Sequence, residues 1–266
     1  MNKDYNLKVY EDMDDDCRKC VVIIALDDSG SMSPKEEVVF QATKQLLQML
    51  AKENESSIDF EFRVILMVFN NDVHVINTNS IPLPPEQLLE LFDRKDYSCS
   101  GGTSLAAVFR KLDQLFSRKE NGLLNQAQKG DPFPLVIFIS DYVATDAIES
   151  YDNAKNTLLS NQFYSNTNRL CVYVGSGNRK NAAAELVGSE DNVLALETNL
   201  EGLLAPVIMG STIIAADATH IGNAEKTPAD VAKEQQQRAE EGQQSAGNLK
   251  DEQLQEELRK LFERKA

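Results

Sequence analysis

The chain has 266 residues, 42% of them hydrophobic, and a formal net charge of −15 at pH 7. This length and apolar content can bury one substantial core, so we expect one large domain with appendages rather than two equal domains. The acidic balance argues against nucleic acid as a partner, because phosphate binding depends on clustered Lys and Arg. Divalent cations and basic surfaces are the natural counterparts of such a chain.

Two segments bear on the cellular compartment. Residues 1–19 form an acidic extension without the apolar region that a secretory signal carries behind its positive charges. The apolar stretch at residues 203–216 is interrupted by Pro206 and Gly210 and is too short to span a bilayer. We therefore expect a soluble, cytoplasmic protein that does not use a membrane.

Four cysteines are few for this length and fit a reducing compartment. Cys17 and Cys20 form a CxxC pair, but a structural zinc site needs four ligands and the sequence has no second pair at suitable spacing. We interpret Cys20 as the opening residue of a buried strand.

The first predicted element is a strand at Cys20–Leu26, a continuous apolar run rich in β-branched residues. Such a run is typical of a central strand buried on both faces of a parallel sheet. A polar loop follows, and residues 38–50 then place apolar side chains at helical spacing. Pro34 suits the first turn of that helix.

The next two strand-like runs, Phe60–Phe69 and Asp72–Ile76, predict an antiparallel hairpin at the edge of the sheet. They are joined by Asn70 and Asn71, and asparagine tolerates the positive φ that tight hairpin turns need. The elements expected after the hairpin are a short helix, a polar turn and a longer helix, at residues 86–92, 98–103 and 104–119.

Three further apolar runs predict strands separated by helical stretches, at residues 134–140, 169–175 and 192–196. Strands that alternate with helices predict a doubly wound, Rossmann-like α/β domain, mostly parallel with one antiparallel edge strand, and with helices on both faces. A helix at residues 200–216 completes this domain, which we assign to residues 20–216.

Residues 217–266 form a polar tail rich in Gln, Glu, Lys and Ala, which predicts an exposed appendage. Its last part can still fold, because five apolar residues lie near one helical stripe between Leu249 and Lys265. We interpret this helix as solvated. The alternative is a docking helix for the groove of a partner, and hence a second interface.

The residues that carry chemistry follow the first strand, where the chain reads Asp27-Asp28-Ser29-Gly30-Ser31. The carboxyl edge of an open α/β sheet is where ligands bind. Carboxylates and hydroxyls are hard oxygen donors, suited to Mg²⁺, Mn²⁺ or Ca²⁺. We expect Gly30 to let the backbone curl so that the hydroxyls of Ser29 and Ser31 both point inward.

This DxSxS pattern after a buried strand resembles the metal-ion-dependent adhesion site (MIDAS) of von Willebrand factor A domains. The family supplies a threonine from a later loop, matched here by Thr103 after Gly101 and Gly102, and an aspartate at the end of the next long strand, matched by Asp141. Such residues also cap helices and turns. Capping does not explain three loops in the family's order.

Carried over residue by residue, the resemblance implies that the hydroxyls of Ser29, Ser31 and Thr103 bind the metal. It implies that Asp27 and Asp141 act on the metal directly or through water. One coordination position then stays open for a carboxylate of a partner protein. Three neutral hydroxyls compensate the charge of the ion only partly, so an acidic side chain is strongly attracted.

The resemblance covers about residues 20–216 and is closest to the bacterial TerY-like group, which is associated with tellurium resistance and stress gene clusters. Tyr142 departs from that group, which usually has Gly after the aspartate. Asp28 adds a second carboxylate, which we expect to point to solvent or to raise the local affinity for cations. Thr145 and Asp146 match the group, and we expect them to cap the helix that follows.

Two other readings of the sequence stay open. An enzyme could use Asp27 or Ser29 as a nucleophile, but dehalogenase-type phosphatases need a second Asp where this chain has Ser29. A serine hydrolase needs a nearby base, and we expect His74 and His220 to lie on the surface. The third reading is an assembly subunit that binds through its C-terminal helix and whose metal site is only structural. We expect a non-enzymatic, metal-dependent binding module.

Overall fold

The computed structural model describes residues 18–56, 60–119, 122–123, 132–175 and 179–195. Cys17, the expected helix at residues 200–216 and the tail at residues 217–266 lie outside the described residues. The domain boundaries at residues 20 and 216 therefore stay predictions. No helix within the described ranges is long and apolar enough to cross a membrane.

The described strands form a single mixed sheet in the spatial order β3-β2-β1-β4-β5-β6. All neighbouring strands are parallel except β2 and β3, which are antiparallel. This arrangement confirms the predicted fold class. The strands are β1 (Arg18–Asp27), β2 (Phe60–Phe69), β3 (Val73–Val75), β4 (Leu135–Ser140), β5 (Asn168–Tyr173) and β6 (Val193–Ala195).

The described helices between the strands agree with the expected order. They are α1 (Glu36–Ser56), α2 (Pro85–Leu91), α3 (Leu105–Leu115), α4 (Ile148–Leu159), α5 (Gln162–Ser165) and α6 (Lys180–Val187). Pro34 does not open α1 as predicted; it lies inside a 3₁₀ helix, Gly30–Lys35, that leads into α1. The fixed φ of proline suits a 3₁₀ turn as well as an α-helical one.

The hairpin between β2 and β3 exists, but its turn differs from the expectation. Phe69 pairs with Val73, so three residues form the loop. Neither Asn70 nor Asn71 has a positive φ. The Asn71 side chain has another use, because its Oδ1 accepts a hydrogen bond from the backbone N–H of Gly102 at 3.0 Å.

The sheet is covered on both faces, and alternate residues of β1 point to opposite sides. Val22 and Ile24 belong to the core beneath α1 and α2, whereas Ile23 and Ala25 belong to the core beneath α3, α4 and α6. Burying one such aliphatic side chain stabilises the fold by about 1.5–3 kcal/mol. The two cores hold the strands rigidly and so fix the positions of the loops at their carboxyl edge.

The described cysteines form no disulfide bonds among themselves, and Cys20, Cys99 and Cys171 are all buried. Cys20 lies near the start of β1 with no exposed surface. This confirms that Cys20 belongs to a buried strand, although the strand begins two residues earlier, at Arg18.

Candidate metal centre

The centre is built on the two middle strands, which end side by side. Leu26 of β1 lies opposite Ile139 of β4 in a parallel pair, so Asp27 and Ser140, the last residues of these two strands, lie at the same edge of the sheet. Ser140 Oγ donates a hydrogen bond of 2.5 Å to Asp27 Oδ2. The first residue of the predicted motif is thus tied to the strand that carries Asp141.

The loop after β1 brings the first three predicted residues together. The backbone N–H of Ser29 donates to Asp27 Oδ1 at 3.0 Å, and the hydroxyl oxygens of Ser29 and Ser31 lie 3.1 Å apart. Asp27 and Ser29 are buried, whereas Ser31 is exposed. The two hydroxyls therefore lie side by side between a buried carboxylate and the surface.

Gly30 contributes to this loop for a reason other than the expected one. Its φ is not positive, so the loop does not need a backbone conformation reserved for glycine. Its N–H donates to the carbonyl of Gly101 at 3.1 Å, and a Cβ at Gly30 would lie 3.3 Å from that oxygen. The glycine permits two loops to approach closely.

The loop that carries Thr103 is joined to the first loop by its backbone. In addition to the Gly30–Gly101 bond, the N–H of Ser100 donates to the carbonyl of Asp28 at 2.7 Å. Thr103 itself is only 1% exposed, so this threonine faces the protein and not the solvent. The second predicted element thus packs against the first.

Asp28 does not point to solvent, so that expectation is wrong; the alternative, that Asp28 raises the local affinity for cations, stays a prediction. The residue is buried, and its Oδ1 accepts the backbone N–H groups of Ser98 and Cys99 at 2.7 and 2.6 Å. Burial raises the pKa of Asp28, while these two hydrogen bonds act in the opposite direction. Asp28 holds the loop that leads to Thr103, whereas its neighbour Asp27 faces the hydroxyls.

Asp141 follows β4 directly and is 8% exposed. Its Oδ1 accepts the backbone N–H of Val143 at 3.1 Å, which fixes the turn. Tyr142, which stands where the resembling group has glycine, has a φ of 58° and so keeps the left-handed backbone that glycine favours. Its ring is buried in the core beneath α3 and α4, and this burial offsets a conformational cost of about 1–2 kcal/mol.

Thr145 and Asp146 do not cap α4, and that prediction is wrong. The residue preceding α4 is Ala147, which makes no side-chain cap. Asp146 instead accepts hydrogen bonds from Ser104 Oγ at 2.7 Å and from the N–H of Ala106 at 3.1 Å, so it caps α3. The loop after β4, which carries Asp141 (the third loop), is therefore joined by hydrogen bonds to the loop that carries Thr103.

The electrostatics of the centre favour a cation. Burial raises the pKa of Asp27 to about 6; hydrogen bonds from Ser140 and Ser29 oppose this rise, and the negative charge of Asp141 adds to it. Asp27 and Asp141 are both buried, and neither forms an ion pair with a Lys or Arg of the described residues. A divalent cation between these carboxylates would remove the repulsion.

The donor set also limits which metal fits. Within the described ranges, no group of three or more His, Cys, Asp or Glu residues is arranged to hold a metal ion. The centre therefore depends on hydroxyl oxygens in addition to two carboxylates, which suits Mg²⁺, Mn²⁺ or Ca²⁺ better than a soft metal. The predicted residues fit a hard divalent cation.

Two residues that support Asp27 were not identified from the sequence. Ser140 binds its carboxylate, and the buried Tyr97 donates its hydroxyl hydrogen to the Asp27 carbonyl at 3.0 Å. The position of Ser140 just before Asp141 offered a signal, because it is the last residue of an adjacent strand. Tyr97 offered none, since 70 residues separate it from Asp27.

Comparison with known proteins bears on the fold. No family model and no curated protein matches the chain. A von Willebrand factor type A structure from Catenulispora acidiphila aligns with a TM-score of 0.52 and 14% identity, over 73% of this chain and 43% of that one. Proximal thread matrix protein 1 from the mussel byssus, with a zinc occupied MIDAS motif, aligns with a TM-score of 0.53 and 16% identity.

The mussel alignment covers 73% of this chain and 48% of that one, so the chain spans less than half the length of these two solved chains. At such low identity the likeness concerns the fold alone. The fold of this chain is that of a von Willebrand factor A domain.

Proposed function

We propose that the chain is a non-enzymatic protein-binding module of the von Willebrand factor A family that binds its partner through a divalent metal ion. The observation that carries this proposal is the pair of buried carboxylates, Asp27 and Asp141, at the junction of three hydrogen-bonded loops. Buried carboxylates without a cationic partner destabilise a fold unless a bound ion compensates their charge. Their burial is therefore explained by a ligand.

In this proposal the hydroxyls of Ser29, Ser31 and Thr103 bind the metal, and Asp27 and Asp141 act directly or through water. The ion, Mg²⁺ in the first instance and otherwise Mn²⁺ or Ca²⁺, supplies a positive charge that accepts one further oxygen ligand. The exposed Ser31 marks the side from which that ligand enters.

The proposed partner is a protein that presents an Asp or Glu carboxylate. The mussel structure with zinc in its MIDAS motif supports a divalent ion at such a position. The resemblance of the motifs to the TerY-like group supports a role in a bacterial tellurite or stress response, in the cytoplasm.

The arrangement of Ser29 supports binding over catalysis. Its hydroxyl lies beside Ser31 Oγ, and a nucleophilic serine needs a base in hydrogen-bond contact. His74, the one histidine among the described residues, is an exposed residue of β3 and forms no hydrogen bond with Ser29 in that part of the chain. Metal-dependent turnover of a phosphate or carboxylate ester that disappears in Ser29→Ala would contradict this assignment.

The metal site is tested by titration calorimetry with Mg²⁺ and Mn²⁺. We expect saturable binding by the parent and none by Asp27→Ala, with strongly weakened binding by Thr103→Val, which removes one hydroxyl and keeps the shape of the side chain. Thr157→Val is the matched control, because Thr157 is an exposed residue of α4 whose hydroxyl donates to the carbonyl of Asn153 in the same helix. Equal affinities in all four proteins would refute the site.

The partner is tested by affinity capture from native lysate with and without EDTA. We expect a protein that the parent retains only when metal is present and that Asp141→Ala does not retain. Asp152→Ala, at a half-buried residue of α4, should retain it. A chain that ends at His220 separates the alternatives, because loss of the partner from this chain but not from Asp141→Ala would assign the interface to the tail.

A further inference from the structure

Thr145, a residue of the third loop, forms hydrogen bonds with both the backbone N–H and the backbone carbonyl of Thr103. The N–H of Thr103 donates to Thr145 Oγ1 at 2.9 Å. The carbonyl of Thr103 accepts the N–H of Thr145 at 2.9 Å and the Thr145 hydroxyl at 3.2 Å. Three hydrogen bonds therefore fix the peptide groups on either side of the Thr103 side chain.

The residue before Thr103 is confined by the same contacts. A Cβ at Gly102 would lie 2.7 Å from Thr145 Oγ1 and 2.7 Å from Asn71 Oδ1, which accepts the Gly102 N–H. The backbone thus passes between two polar side chains with no room for a larger residue. The path of the chain into Thr103 is set by Thr145 on one side and Asn71 on the other.

From this geometry we infer that Thr145 is a positioning residue of the metal centre, which acts through Thr103 and does not itself bind the ion. The inference rests on the proposed function and assigns to Thr145 a role that its neighbour Asp146 does not have. Asp146 caps α3, whereas the Thr145 hydroxyl acts on the peptide of the candidate ligand itself. Residues that orient a metal ligand typically change metal affinity about 10- to 100-fold when they are removed.

Thr145 is exposed, so its hydroxyl can be removed without creating a cavity in the core. Thr145→Val keeps the branched shape and the backbone N–H bond to Thr103, but leaves the Thr103 N–H without its acceptor. Thr145→Ser restores the hydroxyl. Thr157→Val repeats the chemical change at an exposed site of α4, where the hydroxyl donates to the carbonyl of Asn153 one turn earlier.

The test is titration of each full-length protein with Mn²⁺, together with its melting temperature in EDTA. We expect Thr145→Val to bind Mn²⁺ about tenfold more weakly than the parent, with a melting temperature in EDTA only about 2–5 °C below that of the parent, because one buried N–H loses its acceptor. Thr145→Ser and Thr157→Val should bind as the parent does. Hydrogen–deuterium exchange in EDTA should become faster in Thr145→Val across residues 100–106.

A Thr145→Val protein that binds Mn²⁺ within twofold of the parent would overturn the inference. A loss of Mn²⁺ affinity that Thr145→Ser does not restore would also overturn it. A loss accompanied by a large fall in melting temperature in EDTA would do the same, because either result would show a general structural role. If the parent itself binds no Mn²⁺, the proposed function fails and the inference fails with it. Parent-like binding in Thr145→Val beside a binding parent refutes the inference alone.

Discussion

The apolar side chains inside the sheet and the two carboxylates at its carboxyl edge are all buried, but their chemistry is opposite. Ile137 and Phe138 in β4 have no exposed surface, and their burial stabilises the fold. Three residues after Phe138, Asp141 carries a buried carboxylate, and burying a charged group is unfavourable. The same strand thus serves stability along its length and ligand binding at its end.

This contrast shows where the protein gives up stability. Asp27 is retained in its buried position by Ser140 and by the Ser29 N–H, but burial still raises its pKa to about 6. A group that is unfavourable in the metal-free fold and suited to a bound cation is typical of a binding site, because function and stability compete there. The predictions that follow test this division between interior and edge.

The largest expected effect is in the interior. Ile137→Ala should lower the free energy of unfolding by about 2–5 kcal/mol, because it removes buried methyl groups and leaves a cavity. Denaturant unfolding in EDTA measures this. Ile137→Val, which removes one methylene, should lower it by about 0.5–1.5 kcal/mol. Equal stability of both variants and the parent would mean that this strand is not packed as described.

At the edge of the sheet, Asp27→Asn should change the free energy of unfolding in the opposite direction. We expect it to raise the free energy of unfolding in EDTA by roughly 1–3 kcal/mol, since a neutral amide avoids the cost of burying a charge. It should also abolish the stabilisation by Mg²⁺, which for the parent is about 2.7 kcal/mol at 100 times the dissociation constant. Thermal unfolding with and without Mg²⁺ distinguishes the two effects.

The pH dependence of the stability tests independently whether the charged form of Asp27 destabilises the fold. Its pKa rises from an ordinary 3.8 to about 6 on folding, so the folded state binds the proton more readily. The contribution of Asp27 to stability is therefore most favourable below about pH 4 and is lost as pH rises through about 6. In EDTA the parent should lose more stability than Asp27→Asn between these values. Parallel pH profiles would contradict the buried charge.

Asp28→Ala should be smaller in effect and destabilising. It leaves the N–H groups of Ser98 and Cys99 without their acceptor, which costs about 1–2 kcal/mol. Asp28→Asn keeps an acceptor oxygen and should stay close to the parent. Unfolding in EDTA therefore distinguishes two adjacent aspartates. Replacing Asp27 by a neutral asparagine should stabilise the fold, whereas the fold needs the acceptor oxygen of Asp28. Stabilisation by Asp28→Ala would place both in the same class.

The smallest effect is expected at Ile148, which is the same residue type as Ile137 but 80% exposed. Ile148→Ala should change the free energy of unfolding by less than about 0.5 kcal/mol. Denaturant unfolding beside Ile137→Ala shows whether burial, and not residue type, sets the difference. A loss of more than 1 kcal/mol at Ile148 would mean that this side chain packs against something.

Much of the fold could be predicted from the sequence, because periodicity reports which side chains must leave water. The unbroken apolar run at Cys20–Leu26 predicted the central strand, and alternating strand and helix patterns predicted the order of the layers. Turn details were less predictable. The positive φ expected at Asn70 and Asn71 is absent, because the loop has three residues instead of two and the Asn71 side chain accepts a hydrogen bond from another loop.

The sequence by itself determined the residue types of the candidate centre and their position at strand ends. Only the tertiary structure decided what each residue does there. Asp27 and Asp28 are chemically identical neighbours, and Thr145 and Asp146 were expected to serve the helix beside them. Hydrogen bonds are directional, and apart from the N–H of Ser29 the partners described for these side chains come from segments 40 to 113 residues away. Which donor meets which carboxylate is therefore set by the packing of the two cores.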